Sequence, residues 1–280
     1  MLKKRKKIAF VFGRVFINTA KLQYMPFALS TLKKIAEDGN CEIDVFVTQS
    51  KTEDYKKLLP ENVTFNFIDK DFIWSRGGGR KFYFLITLYF QFITFFKKYD
   101  TVFGVSQVGV VLGGKLAARK RANFICLNDE FPSISYFKIW REHEIKYTAK
   151  ASIVILPDEC RIDVLKKQIS FNEKTAFFVL PNIPLENEFS SIKQIDWKTK
   201  LNLRLENKII VYAGGISREN NIDYLLSIFP LTDSKFVLIM IGNNPDYINN
   251  RYLKNDRILW LQTPLNDHEL HDIISEYRYQ

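Results

Sequence analysis

The sequence predicts an α/β fold built from two successive parallel-sheet domains. Three observations predict it. Short apolar runs rich in β-branched residues alternate with segments of helical period along almost the whole chain. Such runs read as strands buried on both faces, as in parallel sheets covered by helices. The alternation stops once, over the polar stretch 181–207, and then restarts. The length of 280 residues also exceeds the usual single domain, while 46% hydrophobic and 26% charged residues lie in the ordinary globular range.

The elements follow in order. A basic start, MLKKRKK, leads into a first strand over Ile8–Phe12. The apolar run behind those cations spans about six residues and lacks a small-residue cleavage site, so no signal peptide is expected. Leu22, Met25, Leu29, Leu32 and Ile35 recur at helical spacing, predicting a helix over Lys21–Asp38 that ends at Gly39. Strands are expected at Ile43–Thr48 and Val63–Ile68, then a helix over about Phe82–Lys97 that is apolar nearly all round. That helix falls short of the roughly 20 apolar residues that span a bilayer. Strand Thr101–Val105, helix Gly109–Arg119, strand Asn123–Leu127 and helix Ser135–Lys150 come next. Strand Ala151–Leu156, helix Arg161–Ile169 and strand Ala176–Leu180 complete a first domain, 1–180. The stretch 181–207 has no sustained period and is expected to be a connection. A second domain, 208–280, then offers strand Lys208–Tyr212, helix Ile222–Phe229, strand Lys235–Ile241, helix Pro245–Leu253, strand Arg257–Leu261 and helix Asp267–Tyr277. The expected architecture is two Rossmann-like domains facing a cleft, without internal repeats.

Charge and cysteine content narrow the function. The net charge of +10 favours an anionic partner: membrane lipid, nucleic acid or a phosphorylated ligand. Cys41, Cys126 and Cys160 have no metal-type spacing and are expected as buried or partly buried free thiols in a reducing compartment. The aromatic segment RGGGRKFYFLITLYFQFITFFKK supports two readings: a helix covering the first sheet, or a membrane-interface surface in which Phe and Tyr lie between cations. Nucleic acid is not expected, because these aromatics sit in an apolar helix rather than on a polar stacking platform.

In such sheets ligands bind beyond the carboxyl ends of the strands. The loops there are FGRVFINT, VSQVG, NDEFPS and PDECR in the first domain, and AGGISRENN and GNNPD in the second. Gly214 and Gly215 in VYAGGISRENNIDY would let the backbone approach a phosphate, and Arg218 would add a fork of donors. An ordinary glycine turn explains the same residues. There is no GxGxxG fingerprint and no Walker lysine motif, which leaves dinucleotide and ATP readings without support. Asp129 and Glu130 in LNDEFPS offer a carboxylate that could orient a hydroxyl or act as a base; an exposed acidic loop is the plain alternative. His143 is read as packing or surface, and His268 with His271 as a solvated helix face rather than a metal site.

The ordered set of local patterns resembles a GT-B-type glycosyltransferase, most similar to the family 4 (glycosyltransferase group 1) enzymes. FFVLPNIP at Phe177–Pro184 is similar to the family's strand before the second domain, and ASIVILPDECRIDVL at Ala151–Leu165 and YDTVFGVSQ at Tyr99–Gln107 resemble units of its first domain. VYAGGISRENNIDYLLSIF with KFVLIMIGNNPD looks like the opening of its donor domain.

The resemblance implies transfer of a sugar from a nucleotide-diphosphate donor, such as a UDP- or GDP-sugar, to a saccharide or lipid-linked acceptor. It implies a role in bacterial surface polysaccharide synthesis such as capsule formation, with no cofactor and no metal. The location implied is cytoplasmic, peripheral on the inner face of the plasma membrane. The donor would be held by Gly214, Gly215, Arg218, Asn220 and Gly242, and the acceptor by Gly13, Arg14, Ser106, Gln107 and Arg161, with Asp129 and Glu130 catalytic. Two departures qualify this. Asn220 stands where the family has a lysine on the diphosphate, and the family's two donor-binding glutamates would lie beyond Gln280. Glu276 is no replacement, since it falls in a helix. The expectation is therefore a C-terminally truncated transferase whose second domain is incomplete or is completed by a partner chain. A catalytically incompetent remnant or a non-enzymatic binding subunit is the alternative reading.

Overall fold

The computed structural model describes residues 5–13, 26–48, 59–68, 80–128, 138–181, 195–216, 220–242, 255–261, 265 and 267–276. The chain divides into two compact units, Met1–Pro184 and Leu185–Gln280.

The first unit is a seven-stranded parallel sheet. Its strands are β1 (Lys6–Phe12), β2 (Cys41–Val47), β3 (Val63–Phe67), β4 (Thr101–Val105), β5 (Asn123–Leu127), β6 (Ile153–Leu156) and β7 (Ala176–Val179). They lie in the order β3-β2-β1-β4-β5-β6-β7. The strand order reverses between β1 and β4, which pair from Ile8 opposite Thr101 to Phe12 opposite Val105. This is the topological switch point at which doubly wound sheets take ligands. The helices are α1 (Pro26–Glu37), α2 (Arg80–Ile93), α3 (Ser106–Lys120), α4 (Lys138–Thr148) and α5 (Glu159–Gln168).

Period-two alternation sorts β1 between two cores. Ala9 and Val11 face one cluster with α2, α3, α4 and α5 residues, including Ile86, Val110, Trp140 and Leu165. Ile8, Phe10 and Phe12 face the other, with Phe27, Ala28, Leu32 and Ala36 of α1. Both faces of the sheet are thereby covered, as the apolar strands require.

Some boundaries differ from those read in the sequence. Helix α3 begins at Ser106 rather than Gly109 because Ser106 adopts φ +56° and turns the chain straight out of β4. Helix α2 ends at Ile93 rather than near Lys97, where the Thr94 hydroxyl bonds back to the Phe90 carbonyl at 2.6 Å. Helix α5 opens at Glu159, two residues early, capped by Asp158. Residues 21–25 and 135–137, and the helix expected over 245–253, lie outside the described residues.

The second unit holds three parallel strands, β8 (Lys208–Ala213), β9 (Phe236–Ile241) and β10 (Ile258–Leu261), ordered β10-β9-β8. One face packs Ile216, Ile222, Leu226 and Phe229 of the segment with α7 (Ile222–Ile228). The other packs Ile273 of α8 (Asp267–Glu276) with Trp197 of α6 (Trp197–Lys200). The stretch 181–207, expected as a connection, therefore supplies part of this core. Trp197 is buried, and its Nε1 donates to Asp272 Oδ2 at 2.9 Å, where the Ile195 N–H also donates at 3.0 Å. Trp197, with Ile195, Leu201 and Leu203 packed beside it, anchors the segment, in a spacing too irregular to create a period in sequence.

Candidate functional site

In the second unit the carboxyl ends of the strands form a cross-braced turn. The Gly214 N–H donates to the Ile241 carbonyl at 3.0 Å, joining the exits of β8 and β9. Trp260 Nε1 of β10 donates to the Gly242 carbonyl at 3.2 Å. A Cβ on Gly242 would lie 2.1 Å from the Gly214 carbonyl oxygen, so only glycine lets the two loops approach. The Gly215 carbonyl accepts from the Tyr212 hydroxyl at 2.8 Å and from Asn220 Nδ2 at 2.6 Å. Asn220 thus clamps the turn across its own loop.

Gly214 and Gly215 are different from Gly242. Among the described glycines only Gly39 has a positive φ. A Cβ on Gly214 or Gly215 would meet side-chain atoms of Tyr212 at 3.2 Å or of Asn220 at 3.1 Å, contacts that a small shift relieves. Neither chain conformation nor internal packing therefore demands glycine at these two positions. What the pair provides is an exposed stretch of bare backbone at the strand exit, open to the close approach of a ligand. Arg218 lies outside the described residues.

In the first unit the switch point is tightly closed. The Gly13 carbonyl accepts from the N–H groups of Val108 and Gly109 at 3.0 and 3.3 Å, and thus caps the first turn of α3. A Cβ on Gly13 would lie 2.8 Å from Thr48 Oγ1, and one on Gly109 would lie 2.1 Å from the Val11 carbonyl oxygen. Beside this turn lies a buried polar cluster. Glu144 of α4 accepts from Gln107 Nε2 at 3.2 Å and from Asn128 Nδ2 at 3.0 Å. All three residues are buried. The carboxylate holds the two amides at the exits of β4 and β5, and charge-assisted bonds of this kind are the stronger ones. Gln107 Oε1 is buried without a hydrogen-bond partner among the described residues, which leaves an acceptor atom at the switch point.

Neighbouring groups fit this electrostatic picture. Burial pushes the Cys126 thiol up to about 12; its contact with Thr148 works the other way and the Glu144 charge adds to the rise. Cys126 and Cys41 are buried, whereas Cys160 is exposed, on the solvent side of α5 rather than partly buried as expected.

Ser106 is buried at the start of α3. Arg161 sits in the first turn of α5, where its N–H donates to Asp158 Oδ1 at 2.8 Å and its Nε pairs with Asp158 Oδ2 at 3.0 Å. Asp129 and Glu130, which follow Asn128, and Arg14, which follows Gly13, lie outside the described residues. His143 packs with its ring 5.0 Å from that of Tyr83 and its Nδ1 2.9 Å from the Ile139 carbonyl oxygen. The side chains of His268 and His271 lie outside the described residues.

Glu144 and Asn128 were not singled out by the sequence reading. A signal existed: Trp140, Glu144, Tyr147 and Thr148 share one helical stripe, all buried, so the carboxylate falls on the inward face of α4. A hollow lined by Arg5, Glu37, Pro60 and Asn62 opens at the amino ends of β1–β3 instead. The Asn62 amide there is spent on the carbonyls of Ala36 and Cys41.

Comparison with known proteins adds the fold. No family model matches the sequence, and no curated protein sequence matches it. Sucrose-phosphate synthase from Thermosynechococcus elongatus matches in structure with a TM-score of 0.69 at 14% identity, over 98% of this chain and 74% of that one. The Anabaena protein Alr3699/HepE, solved with UDP and glucose, matches with a TM-score of 0.62 at 14% identity, over 92% and 69%. UDP-N-acetylglucosamine 2-epimerase from Rickettsia bellii matches with a TM-score of 0.62 at 14% identity, over 96% and 71%. The fold is GT-B-like. At such identities the likeness carries the fold and not the activity.

Proposed function

We propose that the chain is a nucleotide-sugar-dependent glycosyltransferase. The observation that carries the reading is the exposed Gly214–Gly215 backbone, braced by Gly242, Tyr212 and Asn220 at the strand exits of the second unit. Two solved neighbours support it: one is a sucrose-phosphate synthase, and the other was solved with UDP and glucose. In this reading the bare backbone and Arg218 take the donor diphosphate, with Asn220 and Gly242 shaping the turn beneath it. Arg218 and the backbone N–H groups stabilise the charge that develops as the sugar–phosphate bond breaks, without a metal. The acceptor hydroxyl oxygen bonds to the anomeric carbon, the nucleoside diphosphate leaves with the electron pair, and Asp129 or Glu130 takes the hydroxyl proton. Gly13, Arg14, Ser106, Gln107 and Arg161 line the acceptor side in this reading. We further propose a saccharide or lipid-linked acceptor in bacterial surface polysaccharide assembly.

A second reading has its own support, since the Rickettsia bellii neighbour is an epimerase of a UDP-sugar. One experiment separates the two. The purified chain is incubated with UDP- and GDP-sugars, with and without a panel of oligosaccharide and polyprenyl-linked acceptors, and products are followed by mass spectrometry and NMR. Acceptor-dependent release of the nucleoside diphosphate, unchanged by EDTA, is the expected result. Inversion of the sugar at C2 without an acceptor would replace the transferase by the epimerase reading.

A further inference from the structure

Helix α2 has two faces of opposite fate. Phe82, Tyr83, Ile86, Thr87 and Phe90 are buried against the first sheet. Phe84, Leu88 and Phe92 lie on the outer face at successive helical turns, and Phe95 and Phe96 continue the stripe past its end. Phe92 is 79% exposed and Phe96 is 92% exposed, far from the normal lot of an aromatic ring. The rings of Phe95 and Phe96 hold each other edge to face at 4.9 Å. A contiguous exposed apolar surface of this kind marks an interaction site.

Cations frame it. Between Arg80 and Arg121 the chain carries Arg80, Lys81, Lys97, Lys98, Lys115, Arg119, Lys120 and Arg121 against one carboxylate, Asp100, and of these Lys97 is paired with Asp44 at 3.0 Å. Two of these are fixed beside the aromatics. Arg119 donates to the Gln91 carbonyl at 3.1 Å and to Thr94 Oγ1 at 2.6 Å, and Lys120 donates to the Phe95 carbonyl at 2.6 Å. Burial, followed by the charges of Arg119 and Lys98, lowers the Lys120 pKa, as expected where like charges gather. Among the described residues no helix is long and apolar enough to cross a membrane.

We propose that the outer face of α2, with Phe92, Phe95 and Phe96 at its tip and Lys98, Arg119, Lys120 and Arg121 around it, docks on a bilayer that contains anionic lipid. Charge complementarity selects this occupant. Lysine is depleted in the cores of protein–protein interfaces, whereas aromatic rings at headgroup depth with basic residues beside them suit an anionic bilayer surface. The rings enter the acyl boundary while the cations meet the headgroups, so the helix lies on the membrane. The inference stands apart from the transferase reading, because docking uses neither nucleotide nor sugar.

The test is flotation of the full chain with vesicles of phosphatidylcholine, with and without phosphatidylglycerol. Flotation with the anionic vesicles and weak flotation with the neutral ones is expected. Phe92→Ser with Phe96→Ser lowers the partition coefficient at least about tenfold, and Lys98→Ala or Arg121→Ala lowers it about fivefold each. These side chains are exposed, so circular dichroism and the melting midpoint stay as in the parent. Absence of flotation, equal flotation with neutral vesicles, or flotation indifferent to all four substitutions overturns the proposal. So does a dimer in sedimentation velocity that Phe96→Ser dissociates while vesicles are ignored, since the occupant is then a second copy.

Discussion

Single residues carry more of this molecule than their sequence context suggests. Glu144 sits in WREHEIKY, which reads as a solvated run of charges, yet it is buried beneath two amides. Glu144→Leu keeps the volume roughly but strands the Gln107 and Asn128 donors. It should cost about 2–4 kcal/mol, read from the shift in a urea denaturation midpoint at unchanged slope. The tyrosines set an alkaline limit. Burial first, then the nearby Tyr147, pushes Tyr83 to about 12, and burial followed by the Asp44 hydrogen bond raises Tyr99 strongly. An unfolded tyrosine ionises near about 10. Above that pH the unfolded chain loses phenolic protons that the folded chain keeps, so stability is intact below it and falls as pH rises towards the folded values. Denaturation midpoints between about pH 9 and about pH 11 should drop, with a shallower slope in Tyr99→Phe, which lacks the titrating group.

At the scale of elements, apolar strands were easy to read and their connections were not. β1, β4 and β5 are compact β-branched or aromatic runs, whose burial on both faces follows from parallel pairing. The start of α3 was missed because the signal sits in a neighbour: the Gly13 carbonyl satisfies the Val108 and Gly109 donors, a contact across 95 and 96 residues of chain that no local pattern reports. The second sheet shows the same dependence. Gly242 was expected in the donor site from the family resemblance; in the structure its position is dictated by the Gly214 carbonyl oxygen. Gly242→Ala should push the exits of β8 and β9 apart and destabilise the second unit by about 1–3 kcal/mol. Thermal unfolding would register it, and Gly39→Ala gives a contrasting case in which φ alone is strained.

For the whole molecule, composition and rhythm sufficed for an α/β chain with two parallel sheets, and the strand order puts a topological switch point between β1 and β4. The candidate site was legible in part. The double glycine was found from its place after β8, but its significance comes from geometry: neither φ nor internal crowding requires it. The buried Glu144 cluster and the core role of Trp197 were not found, since each depends on one residue reaching a distant partner.

The proposed function stands or falls with the turn at Gly214–Gly215 binding a nucleoside diphosphate. Calorimetric titration of UDP and GDP into the purified chain tests it most directly, alongside Gly215→Val and Arg218→Ala. Micromolar binding of one nucleotide is expected, weakened at least about tenfold by either substitution, which is about 1.4 kcal/mol. A folded chain that binds neither nucleotide, or binds one equally well with both substitutions in place, would contradict it.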